Sequence, residues 1–235
     1  MITIGKIVAL GGGCFDNGEM YNVAEHIVKM SGKTNGKFLF VPTAGFDDIN
    51  GDEPLMDTFA KLGFETDILF LTDKALTREE IGKKILGADI IYAGGGNLRF
   101  LAETWKATGA DEFMKKAYEN GTVLSGLSSG AMCWFERGYD DCGENNAFEF
   151  IDCLGLLPYC NCPHYESDYW QVFTEAVKEQ NLSGIACDNG AAFVFEDGRY
   201  YCLSGNDGGE VYFLDANDGF RKINITNNTD ILTRG

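Results

Sequence analysis

The chain has 235 residues, of which 45% are hydrophobic and 23% charged, and its formal net charge is −17. A chain of this size can bury a core without disulfides or metals, so one domain over residues 1–235 is the simplest expectation. The acidic balance disfavours nucleic acid and anionic membrane surfaces as partners, and no apolar run is long enough to cross a bilayer.

Strand-like and helix-like segments alternate through the first two thirds of the sequence. The predicted strands lie at 6–10, 37–41, 65–71, 89–93 and 122–127, and the predicted helices lie at 19–31, 54–62, from Thr77 onward, 98–106 and 111–120. Strands that alternate with crossover helices are typical of a mostly parallel, doubly wound α/β sheet with helices on both faces.

The last third has a different pattern. One helix is predicted at 168–180, followed by two hairpins, with strands at 191–195 and 200–203 and at 210–214 and 220–225. We therefore expect C-terminal antiparallel hairpins that extend or flank the parallel sheet.

The segment Gly126-Leu127-Ser128-Ser129-Gly130 lies between a predicted strand and a predicted helix. A serine in Gly-x-Ser-x-Gly at such a junction occupies a sharp turn, and the flanking glycines avoid clashes with the helix that follows. This nucleophile elbow predicts Ser128 as a catalytic nucleophile. A serine nucleophile requires a base, an orienting acid and amide donors for the oxyanion.

The sequence offers two histidines as the base, His26 and His164. His26 falls opposite the apolar stripe of a predicted helix, which indicates a solvated surface residue. His164 follows an apolar segment and Pro163, as expected of a loop at a strand end, where catalytic side chains are common. His164 is therefore the predicted base.

The acid and the oxyanion donors are harder to assign. Among the carboxylates between Ser128 and His164 we favour Asp141, with Asp140 and Glu136 as alternatives, because a loop near residues 138–141 would return the chain to the site. One amide of the triple glycine at 94–96, together with the amide of the residue after Ser128, would form the oxyanion hole. Neither triple glycine has the spacing of a nucleotide-binding loop.

Eight cysteines without an export-signal pattern before the first strand indicate free thiols and a cytoplasmic protein. Cys160, Cys162 and His164 have a spacing that suggests zinc, but Pro163 interrupts it and no fourth ligand is evident. No metal and no cofactor are expected.

Several motifs together resemble those of the S51 serine exopeptidases, which include aspartyl dipeptidase (peptidase E) and cyanophycinase. The motifs are Gly94-Gly95-Gly96-Asn97, Gly126-Leu127-Ser128-Ser129-Gly130-Ala131, Cys133-Trp134-Phe135, Leu154-Gly155-Leu156 and Pro163-His164-Tyr165. The resemblance implies a fold like that of class I glutamine amidotransferases. It also implies Ser128 as nucleophile, His164 as base, the amides of Gly96 and Ser129 as oxyanion donors, and an acid near Asp141.

The sequence departs from the family pattern at two places. Ser129 stands where the family usually has alanine, and the segment after His164, 165–170, lacks the arginine with which peptidase E recognises aspartate. Strict Asp-X specificity is therefore not expected. The candidate substrate-binding residues are Asn97, with Glu166 or Asp168 holding a substrate amine, and Tyr165, Tyr169 and Trp170 bordering an apolar pocket.

The sequence thus predicts a serine exopeptidase or dipeptidase that acts on short peptides as a monomer or homodimer. Two alternatives stay open at this point. One is an esterase of the α/β-hydrolase type, although its histidine normally comes much further along the chain. The other is a catalytically silent binding protein on an amidotransferase-like scaffold.

Overall fold

The computed structural model describes residues 5–216 and 219–233. Residues 1–4, which bear on the expectation of no export signal, lie outside this range. The strands are β1 (Lys6–Leu10), β2 (Lys37–Val41), β3 (Glu65–Ile68), β4 (Ile90–Ala93), β5 (Val123–Leu127), β6 (Phe135–Asp140), β7 (Glu149–Asp152), β8 (Leu157–Cys162), β9 (Ser183–Cys187), β10 (Ala191–Glu196), β11 (Arg199–Ser204), β12 (Val211–Asp215) and β13 (Arg221–Asn224). The α-helices are α1 (Tyr21–Ser31), α2 (Glu53–Lys61), α3 (Arg78–Leu86), α4 (Leu98–Thr108), α5 (Ala110–Glu119), α6 (Ser129–Met132) and α7 (Phe173–Gln180).

A seven-stranded sheet has the order β11-β10-β1-β5-β4-β2-β3. Strands β1 to β5 are parallel to one another, whereas β10 and β11 add an antiparallel hairpin at the β1 side of the sheet. The central strands are buried almost throughout, as expected when both faces of a parallel sheet are covered. This confirms the predicted α/β class and the C-terminal hairpin that extends the sheet.

A second sheet, of six strands in the order β13-β12-β9-β8-β6-β7, was not predicted. Its parallel core is β6, β8 and β9, and the second predicted hairpin, β12 and β13, lies at its edge. Strands β6 to β9 carry glycine, proline or charged residues within them, which weakens the alternating pattern that marks a strand.

The two sheets pack together through a buried cluster that includes Trp105, Trp134 and Phe193. On the other face of the first sheet, α1 and α2 cover a second cluster around Phe38 and Phe59, whose rings stack at 4.0 Å. Helix α3 begins at the predicted capping box of Thr77 and Glu80. No helix among residues 5–216 and 219–233 has the length and apolar character needed to span a membrane.

The carboxyl ends of strands from both sheets meet at one place. Ser128, directly after β5, donates its backbone N–H to Leu10 at the end of β1 (3.1 Å). His164, two residues after β8, donates its backbone N–H to Gly11 (3.1 Å). Ligands in open α/β sheets bind at such strand ends, so this junction is the place to look for a site. The expectation of a single domain stays a prediction.

Candidate active site

Ser128 lies at a strained turn between β5 and the four-residue helix α6. Its backbone has φ 55° and ψ −125°, a conformation that non-glycine residues rarely adopt. A Cβ added at Gly126 would lie 2.3 Å from the carbonyl oxygen of Gly130, and one added at Gly130 would lie 2.1 Å from that of Ala93. Both flanking positions therefore require glycine, for the steric reason that the motif suggested.

The structure brings His164 and Ser128 together. The Nε2 atom of His164 lies 2.9 Å from Oγ of Ser128, and Nδ1 lies 2.6 Å from Oδ1 of Asn189. His164 itself has φ 53°, and its backbone bond to Gly11 fixes the loop that carries it. Both ring nitrogens thus have partners, one of them the predicted nucleophile.

Asn189 was not predicted, and it is held in turn by Glu166. The backbone N–H of Asn189 donates to Oε2 of Glu166 (2.8 Å), and the side-chain Nδ2 donates to Oε1. Because Nδ2 faces a carboxylate, Oδ1 is the atom that faces the imidazole. The Nδ1–H of His164 then donates to Asn189, which leaves Nε2 free to accept from Ser128.

Gly12 makes room for this arrangement. A Cβ added there would lie 1.8 Å from Oδ1 of Asn189 and 2.7 Å from two ring atoms of His164. The first triple glycine therefore lets the backbone approach the His164–Asn189 pair. The sequence signals for Asn189 were this glycine run and the turn-forming Asn189-Gly190 after an apolar segment.

The predicted acid is corrected. Asp141 accepts a hydrogen bond from the hydroxyl of Tyr169 (2.8 Å), and the contact that it was predicted to make with His164 is made by Asn189. Of the alternatives, Asp140 is buried and accepts from the backbone N–H of Leu98 (2.9 Å) at the start of α4. Burial raises the pKa of Asp140. Glu136 is exposed on β6. The prediction of Asp141 as the acid failed because it assumed a loop near residues 138–141 that returns to the site, whereas residues 135–140 form a strand.

The two predicted oxyanion donors lie close together, Gly96 in the loop after β4 and Ser129 at the start of α6. The side-chain hydroxyl of Ser129 donates to the carbonyl oxygen of Gly96 at 2.6 Å. A Cβ added at Gly95 would lie 3.2 Å from Cβ of Ser128, so the glycine loop passes directly beside the serine. Within the described part of the chain, no hydrogen bond uses the backbone N–H of Gly96 or of Ser129. Gly96 is exposed, whereas Ser129 is buried, so of the two amides that of Gly96 lies on an open surface.

Two of the predicted substrate-binding residues have other partners in the structure. Tyr165 is buried, and its hydroxyl pairs with Thr174 at 2.6 Å. Both carboxylate oxygens of Glu166 are used by Asn189. Neither placement fits the predicted role, because Tyr165 does not border an open pocket and Glu166 already has hydrogen-bond donors.

Three other predicted substrate-binding residues, Trp170, Asn97 and Asp168, have different surroundings. The ring of Trp170 lies 5.5 Å from that of His164. Asn97 caps α4: its side-chain oxygen accepts a hydrogen bond from the backbone N–H of Phe100 (2.8 Å), which is a structural role. Asp168 is exposed in the turn before α7.

All eight cysteines lie in the described part of the chain and are free. Cys160 and Cys162 are buried on β8, and burial raises the pKa of Cys160 to about 12. The residues described contain no group of three or more side chains placed to hold a metal. With His164 between Ser128 and Asn189, the Cys-x-Cys-x-His spacing has no chelating geometry.

His26 is not the solvated residue that was predicted. It is half-buried, and its Nε2 lies 2.8 Å from the hydroxyl of Tyr201. Burial lowers the pKa of His26. The reason is that β11 packs against α1, which the helix pattern alone does not reveal.

A serine on a strand–helix elbow, paired with a histidine at the carboxyl ends of a mostly parallel sheet, is the arrangement found in α/β hydrolytic enzymes with a serine nucleophile. Residues 7–202 match the sequence profile of peptidase family S51. The chain belongs to peptidase family S51.

Relatives and solved structures agree with this family. An uncharacterized peptidase, YgaJ, from Bacillus subtilis (strain 168) is 32% identical over 212 residues, which cover 88% of this chain and 90% of that protein. A crystal structure of a peptidase from an acI-B1 Actinobacterium superposes with a TM-score of 0.72 at 19% identity, over 94% of this chain and 95% of that one. A putative peptidase E protein from Listeria monocytogenes EGD-e gives a TM-score of 0.65 at 20% identity, over 85% and 98%. The fold is therefore that of peptidase E-like proteins.

Proposed function

We propose that this protein is a serine exopeptidase that hydrolyses short peptides, dipeptides among them, through an acyl-enzyme on Ser128. The observation that carries the proposal is the 2.9 Å contact between Oγ of Ser128 and Nε2 of His164. Membership of a peptidase family supports peptide bonds as the substrate class.

The first half of the reaction uses the hydrogen-bonded series Ser128, His164 and Asn189. His164 takes the proton of Ser128 as Oγ attacks the scissile carbonyl carbon, and Asn189 keeps Nδ1 protonated and the ring in place. The free amides of Gly96 and Ser129 donate to the oxyanion that forms. Nε2–H of His164 then protonates the leaving amine as the C–N bond breaks.

The second half regenerates the enzyme. Water loses a proton to Nε2 of His164 and attacks the acyl carbon, and the proton returns to Oγ of Ser128 as the carboxylic acid leaves. Asn189 is neutral, so it does not balance the charge of the imidazolium; the carboxylate behind it is that of Glu166, which contacts Asn189 and not His164. This differs from a triad in which a carboxylate contacts the histidine directly.

The proposal includes a cytoplasmic location, which the eight free cysteines support because a reducing compartment keeps thiols reduced. It does not include strict Asp-X specificity. Within segment 165–170 the charged side chains are Glu166 and Asp168, both acidic, and a carboxylate is a poor receptor for another carboxylate.

The test is a panel of dipeptides and tripeptides read by mass spectrometry, with wild type, Ser128→Ala and His164→Ala in parallel. Each variant should lose roughly 10⁶-fold in turnover while keeping its circular dichroism spectrum. A serine-directed acylating probe should label wild type at Ser128. Equal peptide hydrolysis by wild type and Ser128→Ala refutes the proposal, and cleavage of acyl esters without peptides replaces it with the esterase alternative.

A further inference from the structure

Three aromatic side chains form a continuous surface beside the candidate active site, and we call Phe148, Tyr169 and Trp170 the aromatic wall. The ring centroid of Phe148 lies 4.9 Å from that of Tyr169 and 5.1 Å from that of Trp170. The rings of Tyr169 and Trp170 lie 6.1 Å apart. Trp170 is also 5.5 Å from the ring of His164, which connects the wall to the site.

The wall is held in place although its rings come from two separate segments, 141–149 and 165–172. The hydroxyl of Tyr169 donates to Oδ2 of Asp141 (2.8 Å), which ties one segment to the other. Phe148 also stacks on the buried ring of Tyr139 at 5.2 Å. A surface that is already ordered loses little conformational entropy when a ligand covers it.

The same wall is open to solvent. Tyr169 is 51% exposed despite its hydrogen bond, and Phe148 and Trp170 are only partly buried. Aromatic side chains that are exposed and yet fixed are typical of recognition surfaces, because they offer a large contact area at low entropic cost. The wall therefore has an uncovered apolar face next to the imidazole.

The chemistry at His164 decides which part of a peptide reaches this face. In the proposed mechanism Nε2 of His164 protonates the leaving amine, so that nitrogen must come within hydrogen-bond distance of the imidazole. The residue that carries the amine is then held beside the same ring. The other contacts of the imidazole are with Ser128, Asn189 and Gly12, which are polar or lack a side chain. Trp170 supplies the apolar surface.

The charges around the wall indicate which side chains fit it. Segments 141–149 and 165–172 contain no lysine or arginine, and their carboxylates include those of Glu144 and Asp168, both exposed. An acidic side chain on the leaving residue is repelled by these groups, whereas a neutral aromatic one is not. The wall and its surroundings thus fit a large uncharged side chain.

We propose that the aromatic wall binds an aromatic side chain on the residue that carries the leaving amine, with Trp170 as the specificity-determining residue. The inference rests on the proposed function, which supplies the peptide and the acyl-enzyme chemistry. It adds the substrate class: dipeptides with an aromatic second residue are preferred over those with alanine or an acidic residue there.

The experiment measures binding without turnover, by isothermal titration calorimetry on the Ser128→Ala protein. The ligands are Ala-Ala, Ala-Phe and Phe-Ala, the last two of which have the same composition and differ in the side of the scissile bond that carries the ring. The added substitutions are Trp170→Ala and Trp170→Phe. Phe70→Ala is the control, because Phe70 is another exposed aromatic residue and follows β3, the edge strand of the first sheet.

Ala-Phe should bind at least about tenfold more tightly than Ala-Ala or Phe-Ala, since it buries its aromatic side chain against the wall. Trp170→Ala should remove that advantage, Trp170→Phe should keep most of it, and Phe70→Ala should leave it unchanged. Binding of Phe-Ala as tight as that of Ala-Phe overturns the inference. So does a Trp170→Ala protein that keeps the full preference for Ala-Phe or loses affinity for all three dipeptides alike.

If circular dichroism shows that Trp170→Ala does not fold, Tyr169→Ala decides the question. Half of the Tyr169 side chain is exposed, so its removal disturbs less packing. This variant should weaken binding of Ala-Phe several-fold, to about the extent expected for one aromatic contact, and leave that of Ala-Ala unchanged. Unchanged binding of Ala-Phe overturns the inference.

The outcome is distinct from that of the proposed function. A preference for Ala-Phe that Trp170→Ala removes, without any hydrolysis by wild type, leaves the wall assigned as a binding surface and removes the peptidase proposal. Hydrolysis that requires Ser128, but whose ratio of kcat/KM for Ala-Phe over Ala-Ala is the same in wild type and Trp170→Ala, removes the assignment of the wall alone.

Discussion

The Nδ1 atom of His164 lies 2.6 Å from Oδ1 of Asn189, so the partner of the imidazole is an amide instead of a carboxylate. The amide presents its oxygen because its Nδ2 donates to Glu166, which also accepts from the backbone N–H of Asn189. In the proposed mechanism, Asn189 therefore orients the histidine and Glu166 balances its charge.

Asn189→Ala should lower kcat by about 10²- to 10⁴-fold, because the histidine loses the acceptor that fixes its tautomer. The melting temperature should change little, since Asn189 is exposed. Steady-state kinetics and thermal denaturation check the two effects. A variant with wild-type kcat contradicts the role given to Asn189.

Asn189→Asp should also lower kcat, although it supplies the carboxylate of a conventional triad. The new carboxylate faces that of Glu166, and like charges at hydrogen-bond distance repel each other. Adding Glu166→Gln replaces one carboxylate with an amide that can donate, so the double variant should be more active than Asn189→Asp alone. A double-mutant cycle on kcat measures this coupling, and additive effects of the two changes contradict it.

Gly12→Ala should abolish most activity and preserve the fold. The added methyl would lie 1.8 Å from Oδ1 of Asn189 and must displace it and the His164 ring, but both are side-chain ends that can move. We expect a loss of at least about 10²-fold in kcat, in the range for a misplaced catalytic group. Gly45→Ala is the control, because its nearest neighbour would lie 3.6 Å away, and equal activity of the two variants contradicts the prediction.

Ser129→Ala should lower kcat by about tenfold and leave KM unchanged. The hydroxyl holds the carbonyl of Gly96, and without it the neighbouring amide is less well positioned for the oxyanion, although the amide of residue 129 remains. Ser125→Ala is the matched control, since it removes another hydroxyl bonded to a backbone carbonyl, that of Ile91. If both variants lose stability alike and neither loses activity, the Ser129 hydroxyl is only structural.

His26 makes the stability depend on pH. Burial lowers its pKa, so in the folded state it binds a proton less readily than in the unfolded chain, where the pKa is near 6.5. The unfolded state therefore takes up more protons as the pH falls through 6.5, and the stability contributed by neutral His26 is lost. The melting temperature should fall between pH 7.5 and pH 5.5, and this fall should be larger for wild type than for His26→Gln. Parallel shifts in the two proteins contradict the prediction.

Local sequence was enough to predict much of this fold. The helix and strand patterns of the first two thirds place β1 to β5 and their helices within a few residues, because burial on a parallel sheet leaves continuous apolar runs. The turn at Ser128 could be predicted equally well, since Gly126 and Gly130 are both required sterically and both lie within the same five residues.

The second sheet and the partner of His164 could not be predicted from local sequence. Asn189 lies 25 residues after His164 and reaches it because β8 and β9 pair in parallel, so their ends come together. Asp141 was chosen for its position in the sequence. In the structure it directly follows β6, and its carboxylate accepts a hydrogen bond from Tyr169.

The sequence by itself determined the parallel α/β sheet, the strained turn at Ser128 and the choice of His164 as its expected partner, because each of these leaves a mark in a few consecutive residues. Only the tertiary structure decided that Asn189 lies beside that histidine and that Glu166 holds Asn189. Both depend on which strand ends become neighbours, and strand pairing is set by burial over the whole chain, which no local pattern records.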